Sequence, residues 1–329
     1  MPIYVAPRGY ITARLNSTNT LQLDTSDGNL LAKVYHITFD NPNDPISAEV
    51  WVDDRSRLMR VTLPSASIDV ARQDILSVST RVTHTPHPGD ETVRVGAAGF
   101  SLAGTLTKPL DVQPPANGRW PTILLVPDSA SGDRDVTFSG IPIFRQLSDA
   151  LVENGFMVMR FDKRGVGQSG GRPESATLND YADDVRELVR YLERRPDVDR
   201  DRIIVVGYSD GGWVSLVAAR RENRIKAVAL IATAGISGND LVLEQQVTLL
   251  ANNGVSDIER QEKINLQERV NRAVLNEGSW EGISDAVRVQ ANTPWFRSML
   301  AFEPESVVER VRQPLLVIQG ELDQQTLPY

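Results

Sequence analysis

The chain has 329 residues, a net charge of −8 from 35 basic and 43 acidic side chains, and no cysteine. That length suits one large α/β domain with a smaller companion, and the acidic balance with no basic block argues against nucleic acid or an anionic membrane as a partner. The lack of cysteine excludes disulfides, thiolate metal sites and cysteine nucleophiles.

No apolar run approaches the ~20 residues a membrane helix needs. The first ten residues lack the apolar core of a signal peptide, so a cytoplasmic location is the default expectation. Residues 1–88 are expected to form a small antiparallel β-domain and a linker. Strands are predicted at 31–39, 67–70 and 75–82, with a hairpin pairing 48–52 and 57–63 around the polar turn Asp53-Asp54-Arg55-Ser56. His36 and His84 fall in this region with no cluster of acidic and histidine partners around them, so no metal site is expected. The run from His84 to Asp90, rich in Pro and Gly, has linker composition.

From residue 89 the periodicity changes. A hairpin over 91–95 and 100–107 leads into short buried strands at 121–126, 156–161, 203–206, 228–231 and 314–319. Amphipathic helices separate them, one capped by Thr177 with Asp180 at its third position. Such alternation predicts an α/β fold with a mostly parallel sheet and helices on both faces. Between about 238 and 300 the alternation gives way to helical segments at 241–251, 258–276 and 280–289. An insertion of that length in a compact domain is expected to form a helical cap over a pocket.

The chemistry centres on residues 202–221. A β-branched strand runs into Gly207-Tyr208-Ser209-Asp210-Gly211-Gly212, and a helix pattern starts at once. Strand, G-x-S-x-G and helix make a nucleophile elbow, with Ser209 on a strained turn beneath a helix N-terminus. A second match, Gly167-Gln168-Ser169-Gly170-Gly171, lacks both the strand before and the helix after, so Ser169 is read as a loop residue. The same loop formally spells a dinucleotide fingerprint, Gly165-x-Gly167-x-x-Gly170, but no helix opens within the glycines. No cofactor is therefore expected.

Together these pieces resemble the α/β-hydrolase superfamily, within it the bacterial esterases similar to dienelactone hydrolases and serine aminopeptidase-like hydrolases with an N-terminal β-domain. The resemblance spans residues 90–329. It rests on the elbow, on Arg160-Phe161-Asp162-Lys163-Arg164-Gly165-Val166-Gly167-Gln168-Ser169, on Asp133-Arg134-Asp135, on Trp295-Phe296-Arg297-Ser298 and on Gln319-Gly320-Glu321-Leu322-Asp323. It implies Ser209 as nucleophile and Asp323 as the acid that orients a histidine. The backbone N–H groups of Asp210 and Ser129 would form the oxyanion hole, and Trp295 and Phe296 the substrate pocket. The charged residues between Asp162 and Gln168 are expected to be structural.

Two departures stand out. All three histidines precede Ser209, and Pro127-Asp128 stand where related oxyanion loops carry glycine or histidine-glycine. The strand at 314–319 would also be left as a bare apolar edge. The chain is therefore expected to be a fragment of a serine hydrolase acting on small-molecule carboxylic esters, its histidine lying beyond residue 329. A peptidase or amidase of the same fold, or an inactive hydrolase fold used for binding, are the alternatives.

Overall fold

The computed structural model describes residues 2–5, 9–25, 28–40, 46–63, 68–71, 87–138, 141–252 and 256–327. The chain divides into two compact units, 1–85 and 86–329. The strand expected at 75–82, and His84, lie outside the described residues.

The first unit is an antiparallel sheet of six strands in chain order: β1 (Pro2–Val5), β2 (Gly9–Thr25), β3 (Gly28–Asp40), β4 (Ile46–Val52), β5 (Leu58–Leu63) and β6 (Ile68–Ala71). The sequence reading missed β1 and the 17-residue β2, because β2 alternates polar with polar as often as with apolar and carries little period-2 signal. Ala32, Val34, Trp51 and Met59 form a small core. His36, expected to stand alone, lies 3.5 Å from Glu49 across the β3–β4 pair.

Asp53 makes the β4–β5 turn. Its Oδ1 accepts the N–H groups of Arg55 and Arg57 at 3.0 and 2.8 Å, and its Oδ2 accepts Nε of Arg57 at 2.7 Å. Burial works against the ionised carboxyl, but the bonds from Arg57 and Arg55 outweigh it and lower the pKa from 3.8 to about 2. A carboxyl depressed on folding adds stability above its unfolded value and loses it as pH falls through its folded one. Asp53→Asn should therefore unfold at a lower temperature than wild type at pH 5. The gap between the two melting points should narrow below pH 4 and close only below about pH 2.

The second unit is built on a seven-stranded sheet. Its strands are β7 (Asp90–Gly96), β8 (Ser101–Thr107), β9 (Trp120–Val126), β12 (Met157–Phe161), β13 (Val198–Tyr208), β14 (Ala227–Ile231) and β15 (Leu315–Ile318), and their order is β15-β14-β13-β9-β12-β8-β7. The pairs from β12 through β9, β13 and β14 to β15 are parallel, and β7 and β8 join antiparallel. A minor hairpin, β10 (Thr137–Phe138) with β11 (Ile141–Pro142), precedes helix α1 (Ile143–Glu153). Helices α2 (Leu178–Arg194) and α3 (Asp210–Arg221) cover one face. The capping box predicted at Thr177 and Asp180 is present, and α2 buries Leu178, Val185, Leu188 and Leu192. Each such side chain contributes about 1.5–3 kcal/mol when fully buried.

After β14 come α4 (Gly238–Asn252), α5 (Asp257–Val274), α6 (Asp285–Ala291), α7 (Pro294–Leu300) and α8 (Pro304–Val308). The first four make the helical cap, with a separate core of Val270, Ala273, Val274, Ile283 and Leu300. The helix expected at 280–289 begins only at Asp285, capped by Ser284, and α7 starts with Pro294 at its first turn. At the opposite margin, all four residues of β15 are exposed, Val317 by 61%.

Candidate active site

Strand β13 ends at Tyr208 and α3 begins at Asp210, so the whole turn between them is Ser209. The serine has φ 54° and ψ −127°, a combination that a residue with a Cβ adopts only at a cost. Its own N–H donates to the Ile231 carbonyl at 2.9 Å, and its carbonyl accepts Gly212 N–H at 3.0 Å and the Thr233 hydroxyl at 3.1 Å. The turn is thus clamped from β14 on one side and α3 on the other. Two glycines leave it room. A Cβ on Gly207 would lie 2.5 Å from Gly211 O and Gly212 Cα, and one on Gly212 would lie 2.0 Å from the Thr233 hydroxyl that braces Ser209.

Asp323 follows β15 and sits in a tight turn. Its Oδ1 accepts Gln325 N–H and Thr326 N–H at 2.8 and 2.9 Å, and its Oδ2 accepts Gln319 Nε2 at 3.0 Å. The Thr326 hydroxyl reaches back to the Ala232 carbonyl beyond β14. Since β14 lies between β13 and β15, the ends that carry Ser209 and Asp323 are two strand spacings apart, about 10 Å. They are not adjacent ends, and the gap suits one intervening side chain rather than direct contact.

The N–H of Asp210 opens α3, where helix N–H groups point outward unpaired. Ser129 behaves differently from a free oxyanion donor: its N–H donates to Asp210 Oδ1 at 2.9 Å. Asp128 is turned into its own loop, accepting Ser131 N–H at 3.1 Å and the Ser131 hydroxyl. That geometry answers the difficulty raised by a carboxylate at this position. A narrow, mainly apolar cavity lies beside these groups, walled by Val126, Phe161, Tyr181, Val214 and Trp295, with Lys163 and Asp210 as its charged members. Trp295 packs edge-on against Tyr181, ring centroids 5.2 Å apart. Phe296 is not in this wall; it packs with the cap core, because successive residues of the helix α7 point about 100° apart. The cap is tied to the site's two flanks: Ser298 Oγ accepts Leu178 N–H at 2.9 Å, and Gln245 Nε2 donates to the Gln325 carbonyl at 3.0 Å.

Around this site the charged residues form a scaffold. Asp162 accepts Arg134 through N–H, Nε and Nη2 at 2.9, 3.1 and 2.7 Å, and Gln168 N–H at 2.9 Å. Arg164 pairs with Asp184, with Nε 2.7 Å from Oδ2. The Ser169 hydroxyl donates to the Asp162 carbonyl and accepts Ala103 N–H, so the second G-x-S-x-G serine is committed to the backbone. Lys163 and Tyr181 were not foreseen at the cavity. For Lys163 the available signal was its place beside Asp162, directly after a buried strand.

Within the second unit the described histidine, His87, stands apart from Ser209. His87 precedes β7, four strands from β13 across the sheet, which is about 19 Å. Its Nδ1 accepts Gly89 N–H at 3.0 Å. Asp90, Thr107 and Val158 are successive partners in register, which puts His87 at the amino ends of the parallel strands, away from Ser209. His36 belongs to the first unit. Among the described residues no cluster of His, Asp and Glu could hold a metal ion, and no helix is long and apolar enough to cross a membrane.

Residues 141–328, more than half of the chain, match the family model for hydrolases described as serine aminopeptidase, S33. The chain belongs to this family. It is accordingly a member of the α/β-hydrolase superfamily, with a helical cap and a small antiparallel β-domain before it in sequence. Among S33 chain relatives, the esterase EstD of Thermotoga maritima is 27% identical over 213 residues, covering 64% of this chain and 48% of that protein. Dipeptidyl peptidase 8 of Homo sapiens is 33% identical over 138 residues, covering 40% of this chain and 15% of the peptidase. The S33 chain thus spans less than half the length of these curated relatives. Among solved structures, an esterase of Pyrococcus furiosus superposes with a TM-score of 0.49 at 16% identity, over 75% of this chain and 77% of that one.

Proposed function

We propose that this hydrolase cleaves carboxylic esters through an acyl-enzyme formed on Ser209. The observation that carries the proposal is the strained Ser209 turn at the carboxyl end of β13, since strain of that kind persists where it serves a function. In the proposed reaction Ser209 Oγ attacks the ester carbonyl carbon and its proton passes to a histidine held by Asp323. The carbonyl oxygen, now negative, accepts the Asp210 N–H. Ser129 N–H can join it by exchanging Asp210 Oδ1 for the oxyanion. The imidazolium then protonates the leaving alcohol, and water releases the acid by the reverse sequence. Trp295 and the apolar cavity wall supply contacts for the uncharged part of the substrate.

The base in this proposal is a histidine outside residues 1–329; within the second unit the described histidine, His87, lies at the amino ends of the strands, away from Ser209. The exposed outer margin of β15 supports a longer protein. The same machinery acts on amides, and the 33% identity to a dipeptidyl peptidase over 138 residues favours amides as the second choice of bond. The test is hydrolysis of p-nitrophenyl acetate, with leucine p-nitroanilide as the amide. A chain extended through the next histidine should turn over the ester, residues 1–329 alone should stay near background, and Ser209→Ala should lower kcat of the extended chain by ~10⁴–10⁶. Equal activity in wild type and Ser209→Ala would remove Ser209 from the mechanism.

A further inference from the structure

Three strand ends meet beside Ser209, and a charged residue follows each. Asp128 follows β9, Lys163 follows β12 and Asp210 follows β13. Lys163 is only 6% exposed, and its Nζ donates to the main-chain carbonyl of Asp128. Burial lowers the Lys163 pKa, and the Asp128 and Asp210 carboxylates work against that loss. Burial likewise raises the Asp210 carboxyl; Ser129 and Lys163 pull it back, while Asp128 pushes it further up. Tyr181, from α2, lines the same cavity as Lys163 and Asp210. The ammonium thus lines the same cavity as Asp210 and is bonded to the Asp128 main chain, set where a serine hydrolase develops negative charge.

We propose that Lys163 is a positioning residue for acyl transfer: its ammonium holds the loop after β9 against the start of α3 and cancels the Asp210 carboxylate beside the growing oxyanion. The proposal rests on the serine-hydrolase reading of Ser209. Its physical basis is that Asp210 carries both an oxyanion donor, its N–H, and a group that would repel the oxyanion, its carboxylate. With an effective dielectric near 20 and a separation of about 6 Å, an uncompensated carboxylate slows the step roughly 100-fold. Lys163 removes that repulsion without touching substrate, and its bond to the Asp128 carbonyl keeps Ser129 N–H directed towards α3. Without the ammonium, Asp128 and Asp210 would also repel one another and spread the two loops.

The test is a double-mutant cycle with Lys163→Met and Asp210→Asn in the full-length protein, read by kcat and KM on p-nitrophenyl acetate and by melting point without substrate. Asparagine at 210 keeps an acceptor for Ser129 N–H and removes the charge. Lys163→Met is expected to lower kcat roughly 100-fold with KM changed less than about threefold. Adding Asp210→Asn to it should restore kcat at least about tenfold and recover most of the lost melting temperature. A further loss of kcat in the double variant, or a fall in kcat that only follows the melting point, would mean that Lys163 is packing alone and would overturn the proposal. So would wild-type kcat in Lys163→Met. If wild type shows no Ser209-dependent turnover, the serine-hydrolase reading fails and this role fails with it, whereas Ser209-dependent turnover that ignores Lys163 overturns the role and leaves the reading standing.

Discussion

Replacing Ser209 by glycine is expected to make the protein more stable and inactive at once. At φ 54° and ψ −127°, the Cβ of serine costs ~1–3 kcal/mol that glycine does not. Glycine gives back ~0.5–1 kcal/mol through its freer unfolded chain. The net gain is about 0.5–2 kcal/mol, or a few degrees of melting temperature for a unit of this size. The alanine variant is the control. It keeps the Cβ and therefore the strain, so it should melt near wild type while sharing the loss of ~10⁴–10⁶ in kcat expected for a missing nucleophile. Thermal unfolding and ester hydrolysis of the three proteins separate the two effects. A glycine variant no more stable than the alanine variant would show that the turn stores no strain at Ser209.

Asp162→Ala should destabilise the second unit more than any other single change to the scaffold. The Asp162 side chain is 4% exposed and that of Arg134 14%, and Asp162 supplies the carboxylate for both Arg134 and the Gln168 N–H. Removing one partner of a buried pair leaves the other charge unpaired and costs about 3–5 kcal/mol. Thr105 Oγ1, 2.9 Å from Arg134 Nη1, and Gln168 Oε1, 3.2 Å from Nη2, remain and place the expected loss towards the lower end of that range. Melting temperature should fall on the order of 10 °C, with Asp162→Asn losing less. A loss under about 1 kcal/mol would mean that Arg134 swings out to solvent. Because Lys163 is the next residue, kcat should fall as well.

The site was legible in sequence where one turn determines the geometry. Strand, G-x-S-x-G and helix within residues 202–221 were enough to place Ser209, because the turn permits few residues on either side of the serine. The scaffold was legible only as a pattern. Asp133-Arg134-Asp135 and the run from Arg160 to Ser169 signalled the family, yet the pairing of Arg134 with Asp162 and of Arg160 with Asp135 depends on long-range packing. Phe296 and Ser129 show the same limit from the other side. Adjacent residues on a helix face different ways, so Trp295 reached the cavity and Phe296 did not. A backbone N–H has no sequence signature of its own, and the capture of Ser129 N–H by the Asp210 carboxylate appears only in three dimensions. β1 and β2 were missed because their pairing, not their composition, makes them strands.

The intervening position of β14 has a metric consequence. The separation between the Ser209 and Asp323 ends is a whole number of main-chain ladder spacings, and no side chain of either loop can tune it. It acts as a gauge block: the loop after β15 can drift in sequence while the interval between the two ends keeps its tolerance. The tolerance is held by the main-chain ladders that join Val228, Ala229 and Leu230 to β13 on one side and β15 on the other, residues without a reactive group among them. A change that broke the β14 ladder, such as Ala229→Pro, would therefore miscalibrate the interval from within the sheet, at a residue that no scan for chemistry would select.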